Sequence, residues 1–281
     1  MIPAPFTYFA PSTVDEAIAL LQQHGEQAKL LAGGHSLVPL MKLRLATPAV
    51  VIDIGRLPDL AYIRREGDAI AVGALTTHHM LESSALLRAD LPLVAEAAAA
   101  IGDVQVRNRG TIGGSLVHAD PGGDLPAVAL ALDATLVLRG PAGERTVNAE
   151  DFFLGMLTTA IEPDEVLTAV RLAALPGRAG YAYQKAANKA SGYAVVGIAA
   201  AVALAADGTV AAARRKASPA PGRSRYGRTR PRRRAGRTAP DGGGGAAAAG
   251  HAAAAVGGPA WTTSTPPPPS RRPRARPHPP G

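Results

Sequence analysis

The sequence predicts an α+β fold with two small lobes, one on each side of about residue 60, built by the first 213 of 281 residues. Three observations carry this prediction. Short β-branched runs alternate with short amphipathic stretches, without long helices or an unbroken series of strands. Two Gly-Gly dipeptides, Gly33-Gly34 and Gly113-Gly114, interrupt apolar stretches at the places where the pattern changes. Large aliphatic residues then stop abruptly: residues 214–281 contain no Leu, Ile, Phe or Met, and their one Val is Val256. Such a segment cannot bury enough apolar surface to offset the entropy of ordering it.

In chain order, Ser12 and Thr13 precede Val14, Ala17, Ile18, Leu20 and Leu21 at helical spacing. Glu16 stands three residues after Thr13 as a capping-box partner, and Gly25 is the stop. Lys29 to Leu31 reads as a short strand ending at Gly33-Gly34, with a short helix over Leu37 to Leu43. Val50 to Ile54 is β-branched and reads as a buried strand. Tyr62-Ile63, the turn Glu66-Gly67-Asp68 and Ala69 to Val72 read as a hairpin. Helical patterns cover Thr77 to Leu87 and Leu91 to Ile101. Gly113-Gly114 reads as a second glycine turn, opening a loop through Asp120-Pro121-Gly122-Gly123-Asp124 before a helix at Pro126 to Leu132. Strands follow at Thr135 to Leu138, Arg145 to Val147 and Val166 to Leu172. From Tyr181 a new unit begins, in which Val195 to Leu204 and Thr209 to Ala213 flank the turn Asp207-Gly208 as a hairpin. Two strands alone are marginal in water.

Charge separates the chain into two parts. The whole has 30 Lys+Arg against 22 Asp+Glu, a net of +8. Residues 214–281 hold 15 basic side chains and one acidic one, Asp241, so the first 213 residues carry a net of −6. A basic globular domain is thereby excluded. Cysteine is absent, which removes disulfides and thiolate-ligated metal or iron–sulfur sites from these residues. The apolar run Ala194 to Ala206 is shorter than the roughly 20 residues a membrane helix needs. Met1 to Phe6 lacks the pattern of a signal peptide. A cytoplasmic location is expected.

The chemistry-bearing stretches are Ala32-Gly33-Gly34-His35-Ser36-Leu37 and Thr111-Ile112-Gly113-Gly114-Ser115. Paired glycines let successive backbone N–H groups converge on an anion, and a following helix start adds positive potential. Ser36, Thr111 and Ser115 add hydroxyl groups. Two such loops suit a diphosphate better than a single phosphate, while either alone reads first as a simple chain turn. Neither is a G-x-G-x-x-G or a G-x-x-x-x-G-K. No metal-ligand spacing, H-E-x-x-H, G-x-S-x-G or nucleophile with its base stands in the sequence. His78-His79, at a helix start, read as surface residues.

Taken together and in order, AGGHSLVPLMKLRLATP, GTIGGSLVHADPGGDLPA and GYAYQKAANKASGYA resemble the FAD-binding medium subunit of aerobic-type carbon monoxide dehydrogenases. That subunit belongs to the wider xanthine dehydrogenase flavoprotein family, with the two-lobed FAD-binding fold of the vanillyl-alcohol oxidase type. The resemblance runs from Met1 to about Ala213. It implies an FAD-binding domain over 1–177, with lobes of about 1–60 and 61–177, and the start of a C-terminal flavoprotein domain, a β-hairpin, over 178–213. That C-terminal α+β domain would be truncated or aberrant.

The resemblance also implies roles by position. Leu30, Leu31, Ala32, Gly33, Gly34, His35, Ser36 and Leu37 would form the first pyrophosphate loop, and Thr111, Ile112, Gly113, Gly114 and Ser115 the second. His35 would serve through its backbone rather than as a metal ligand or a point of covalent flavin attachment. Ile101 would lie against the cofactor, Asp124 would accept from the adenosine ribose hydroxyls, and Leu167 would offer backbone near the flavin. Lys185 would reach the polar edge of the isoalloxazine, and Tyr193 would cover one of its faces. Taken alone, Lys185 reads as a solvated lysine and Tyr193 as a core aromatic; the motifs reverse both readings. Ser115 stands where many relatives carry Asn.

No catalytic residue and no metal ligand is assigned. The expected role is an electron-transfer subunit of a molybdenum hydroxylase. It would take electrons from the clusters of an iron–sulfur small subunit, beside a molybdenum-containing large subunit in a dimerised heterotrimer, and pass them to an external acceptor such as a quinone. One alternative is a stand-alone FAD oxidoreductase of the same fold. Another, of a different class, is a nucleic-acid-binding protein acting through the basic tail by counterion release; with only Tyr226 and Trp261 to stack on bases, specific recognition is not expected. The Arg-, Pro-, Ala- and Gly-rich tail 214–281 is expected to be disordered and resembles a GC-rich gene read in a shifted frame.

Overall fold

The computed structural model describes residues 2–190 and 192–218. They fall within one compact unit, Met1–Gly227, and a second unit, Arg228–Gly281, lies outside the described residues. So does the tail from Pro219 onward, with the expectations of disorder and of stacking by Tyr226 and Trp261.

The first sheet is parallel. Strands β1 (Thr7–Phe9), β2 (Ala28–Leu31) and β3 (Val50–Asp53) take the order β1-β3-β2. Helix α1 (Val14–His24) connects β1 to β2, and α2 (Leu37–Lys42) connects β2 to β3. The capping signature at the head of α1 is realised. Thr13 Oγ1 accepts from the Glu16 N–H at 3.1 Å, and the Ser12 N–H donates to Glu16 Oε2 at 2.7 Å. Ala17, Ile18 and Leu21 of α1 pack with Val50 and Ile52 of β3 into one core, which fixes where β2 ends and its glycine loop begins.

The second sheet is antiparallel. It contains β4 (Ile63–Glu66), β5 (Ala69–Gly73), β6 (Thr135–Gly140), β7 (Gly143–Asn148) and, as its middle strand, β10 (Val166–Ala173). Side chains alternate across a strand, so Val166 enters the core of the first sheet while Leu167 enters a second, larger core. That larger core takes residues from five of the six helices between β5 and β6, the exception being Val104–Arg107. The six are α3 (His78–Ser83), α4 (Ala85–Asp90), α5 (Pro92–Ala99), α6 (Val104–Arg107), α7 (Ile112–His118) and α8 (Asp124–Ala131). A short helix α9 (Ala149–Phe152) leads into the small hairpin β8 (Phe153–Gly155) and β9 (Thr158–Thr159).

The third sheet contains β11 (Arg178–Ala187), β12 (Ala194–Leu204) and β13 (Val210–Ser218), antiparallel and in chain order. Its inner face, Ala199, Ala201 and Ala203 with Tyr183, is buried against α5 and α8.

Four expectations are corrected. The helical pattern from Thr77 to Leu87 is two helices, because Ser84 adopts an extended backbone and caps α4 through its hydroxyl. The helix expected from Pro126 begins at Asp124. The hairpin expected to stand alone is joined by β11, so it is not a bare pair of strands. Its last strand also does not stop at Ala213. β13 runs to Ser218, and Arg214 and Lys216 are ion-paired with Asp133 and Glu150 of the body at 2.7 and 3.1 Å. Pairing with β12 satisfies the backbone groups on that side of the strand whatever its side chains, which is why composition misplaced the boundary. No helix among the described residues is long and apolar enough to cross a membrane.

Candidate cofactor site

The loop between β2 and α2 requires its glycines for two different reasons. Gly34 has φ of +78°, a left-handed conformation that other residues reach only at a cost. A Cβ on Gly33 would lie 2.0 Å from the Arg109 carbonyl oxygen and 2.9 Å from Gly110 Cα, so the first loop presses backbone against the approach to the second. Among the described residues, the N–H groups of Gly33, Gly34, His35 and Ser36 have no hydrogen-bond partner.

The second pair is not a turn, and this corrects the sequence reading. Gly113 and Gly114 sit in the first turn of α7, whose N-cap Thr111 accepts from the Gly114 N–H at 3.1 Å. Neither has a positive φ. Gly113 is small because its N–H donates to the Ala74 carbonyl at 2.8 Å, and a Cβ there would lie 2.7 Å from that oxygen. The segment Ala74–His78 and the segment Gly110–Gly113 are thus laced together, with Ile112 N–H donating to Thr76 O at 3.0 Å and His78 N–H to Gly110 O at 2.9 Å.

A cavity of about 1040 Å³ is lined by both loops and by Ile101, Asp124, Leu167, Lys185 and Tyr193. The structure therefore brings together residues up to 163 positions apart in the chain, with two exceptions. Leu31 lines a neighbouring pocket of about 670 Å³ instead, and the Ile112 side chain is buried in the larger core at 3% exposure. The cavity lies at the top of the roughly 300–1,000 Å³ range of small-molecule sites. It carries a row of unpaired amides where two backbones meet, an arrangement suited to a diphosphate in the middle of an elongated ligand.

At the other part of the cavity, side chains take over from backbone. Lys185 Nζ lies 2.9 Å from Asp124 Oδ2, with both side chains 6% exposed, and it also donates to the Ala100 carbonyl at 2.9 Å. Tyr183 Oη donates to Asp124 Oδ1 at 2.5 Å. Burial, then the hydrogen bond and charge of Asp124, push the Tyr183 hydroxyl far above its ordinary range. Tyr193 packs beside Gly122, where a Cβ would lie 3.2 Å from its ring. Its hydroxyl is also raised, first by burial and then by Asp120 and Asp124.

Asp124 and Lys185, to which the resemblance gives separate roles, are thus in direct contact.

Sequence reasoning missed two further residues. Tyr183 stands two positions before Lys185 on β11, and the alternation Tyr181, Tyr183, Lys185 puts all three on the inner face; that period was available in the sequence. His78, read as a surface residue, is 5% exposed and lines the cavity. His79 is the surface residue, its Nδ1 2.9 Å from Glu82 Oε1. Among the described residues, no group of three or more His, Asp or Glu could hold a metal ion.

Comparison with known proteins agrees with this architecture. The family described as the FAD binding domain in molybdopterin dehydrogenase matches residues 4–174. The carbon monoxide dehydrogenase medium chain of Hydrogenophaga pseudoflava is 52% identical over 199 residues, covering 71% of this chain and 69% of the relative. The 6-hydroxypseudooxynicotine dehydrogenase complex subunit alpha of Paenarthrobacter nicotinovorans is 41% identical over 214 residues, 76% of this chain and 72% of that one. Among solved structures, the carbon monoxide dehydrogenase of Hydrogenophaga pseudoflava that lacks the Mo-pyranopterin moiety superposes with a TM-score of 0.75 at 50% identity, covering 78% of this chain and 76% of that chain. With two thirds of a relative covered at this identity and the family match spanning most of the described residues, the chain belongs to the FAD-binding flavoprotein subunits of the molybdopterin dehydrogenases, the group that includes the carbon monoxide dehydrogenase medium chains.

Proposed function

We propose that this chain is the FAD-carrying electron-transfer subunit of a molybdenum hydroxylase of the carbon monoxide dehydrogenase type. It takes electrons from the iron–sulfur clusters of a small subunit, beside a molybdenum-containing large subunit, and passes them to an external acceptor such as a quinone. The observation that carries this reading is the cavity built by the Gly33-Gly34 loop and the start of α7 at one part and a buried charged cluster at another, on a chain without cysteine. Bound there, FAD supplies the redox chemistry, exchanging electrons singly or in pairs.

The chain's own residues do the holding and the tuning. The unpaired amides of Gly33 to Ser36 cradle the diphosphate, with the start of α7 and the hydroxyls of Thr111 and Ser115 beside them. Lys185 is held by Asp124 and the Ala100 carbonyl, which leaves one of its three N–H donors for the ligand. We assign Asp124 to the same end as Lys185, as the group that positions the ammonium beside the isoalloxazine rather than as a ribose acceptor. Tyr193 covers a flavin face. The FAD-binding part is residues 1–177, and the sheet beginning at Arg178 is the start of a C-terminal part. A cytoplasmic location follows from the same reading.

The ultimate substrate is decided on another chain, in keeping with relatives whose names carry carbon monoxide in one case and 6-hydroxypseudooxynicotine in another. Isolation from the native source under mild conditions tests the proposal. Flavin at one per chain, together with two partner chains bearing molybdenum and iron, is expected. A flavin-loaded chain that turns over with no such partners would mean a stand-alone oxidoreductase instead.

A further inference from the structure

His78 is an anomaly in the cavity wall. It opens α3, yet it is 5% exposed, and its Nδ1 is buried with no hydrogen-bond partner among the described residues. A buried polar atom left unpaired costs free energy that an apolar side chain of similar size would avoid. The position is also specific. The ring edge formed by Cδ2 and Nε2 stands 2.7 Å from where a Cβ of Gly110 would be. Gly110 follows Arg109, whose carbonyl in turn meets Gly33. His78 therefore lies against the junction of the two glycine loops, where a diphosphate would sit.

We infer that His78 is a proton-accepting residue of the diphosphate site, neutral when the loops are empty of anion and protonated when a diphosphate is seated in them. The inference rests on the reading of the two loops as the diphosphate cradle. The step moves one proton from solvent to an imidazole nitrogen; no other bond forms or breaks and no electron moves. The free-state condition is consistent with it, since burial first, then His35 and Arg107, bring the imidazole down to about 4, against an opposing contribution from Glu82. These are the charged and titratable groups that face it: His35 from the first loop, Arg107 from α6 and Glu82 from its own helix. Arg107 and Glu82 are ion-paired at 2.7 Å and act on the imidazole in opposite directions. A ligand with two negative charges is the one new charge that favours the imidazolium.

The sign follows from linkage. The anion raises the imidazole's bound-state affinity for a proton above its free-state value. The added ligand affinity is complete at pH below the free-state value and is lost as pH rises through the bound-state value. Between the two, one proton corresponds to tenfold in ligand affinity per pH unit. The diphosphate ester keeps both charges throughout this window.

The test uses the full chain freed of flavin. FAD affinity is measured by fluorescence quenching from pH 5.5 to 8.5, and proton uptake by calorimetry in two buffers of different ionisation enthalpy. The expected result is tightening with falling pH and net uptake approaching one proton per FAD. His79→Gln, at the exposed neighbour, retains the uptake, His78→Gln abolishes it, and riboflavin, which lacks the diphosphate, shows none. Uptake near zero in the unaltered chain would overturn the inference, as would equal uptake in His78→Gln or with riboflavin. If His78→Gln does not fold, the contrast between FAD and riboflavin in the unaltered chain and in His79→Gln decides alone. The cradle reading fails separately: unchanged FAD affinity in Gly33→Val with Gly114→Val would refute it, whereas pH-independent FAD binding that those substitutions abolish would leave the cradle standing and remove only the role of His78.

Discussion

Gly33-Gly34 and Gly113-Gly114 are the same dipeptide put to different uses. The first is a turn, with Gly34 at φ +78° and Gly33 packed backbone to backbone on Arg109. The second lies inside a helix, with ordinary backbone angles, and only Gly113 is in close contact with another segment, at Ala74. A glycine pair in a sequence thus announces that backbone comes close to something. It does not say whether the reason is a dihedral angle, a neighbouring chain segment or a ligand, because those reasons are supplied by residues distant in sequence.

Substitutions separate the three reasons. Gly33→Val is expected to have the largest effect. Its Cβ would meet a carbonyl at 2.0 Å with no flexible side chain to yield, so a loss above about 4 kcal/mol is expected, read as a collapse of the denaturation midpoint together with loss of flavin absorbance. Next comes Lys185→Met, in the part of the cavity that side chains build. Removing one partner of a buried ion pair leaves Asp124 uncompensated, at about 3–5 kcal/mol. Adding Asp124→Asn should recover part of that, and strict additivity of the two would show that the pair is not coupled in solution.

Gly113→Ala should cost about 1–3 kcal/mol by overpacking against Ala74, measurable by urea denaturation. Gly34→Ala pays for a left-handed angle, about 1–2 kcal/mol. Gly114→Ala is the smallest. Its Cβ would meet only the Thr111 hydroxyl at 2.9 Å, and alanine's helix preference of about 0.8–1 kcal/mol offsets that contact. Stability should therefore stay within about 0.5 kcal/mol while FAD affinity falls if ligand approach is what the glycine serves. Unchanged affinity in Gly114→Ala would assign the second pair to chain packing alone.

Much of the fold was legible. The capping box at Thr13 and Glu16, the strands flanking Gly67 and the β-branched run at Val50 all rest on local chemistry that a short window contains. The misread elements depended on partners outside the window. Ser84 breaks a helix because the chain must turn between α3 and α4 in the larger core, although the apolar spacing continues through it. β13 extends past Ala213 because β12 offers it a ladder, and its arginine and lysine find Asp133 and Glu150. In the site, the two glycine pairs stood out as motifs, and the family resemblance named Ile101, Asp124, Leu167, Lys185 and Tyr193, which line the same cavity. The burial of His78 and the contact of Asp124 with Lys185 were not found this way, since the latter closes over 61 residues and no local pattern encodes it.

By itself the sequence determined the α+β class, the two glycine-pair segments, the absence of thiolate chemistry and the division of charge between an acidic body and a basic tail. These follow from composition and short-range spacing, which act before any long-range contact forms. Only the tertiary structure decided which glycine serves a dihedral and which a close approach, which of two adjacent histidines is inside, and that the lysine and the aspartate hold each other. Those outcomes depend on desolvation and on distances between segments, and neither quantity exists until the segments have packed.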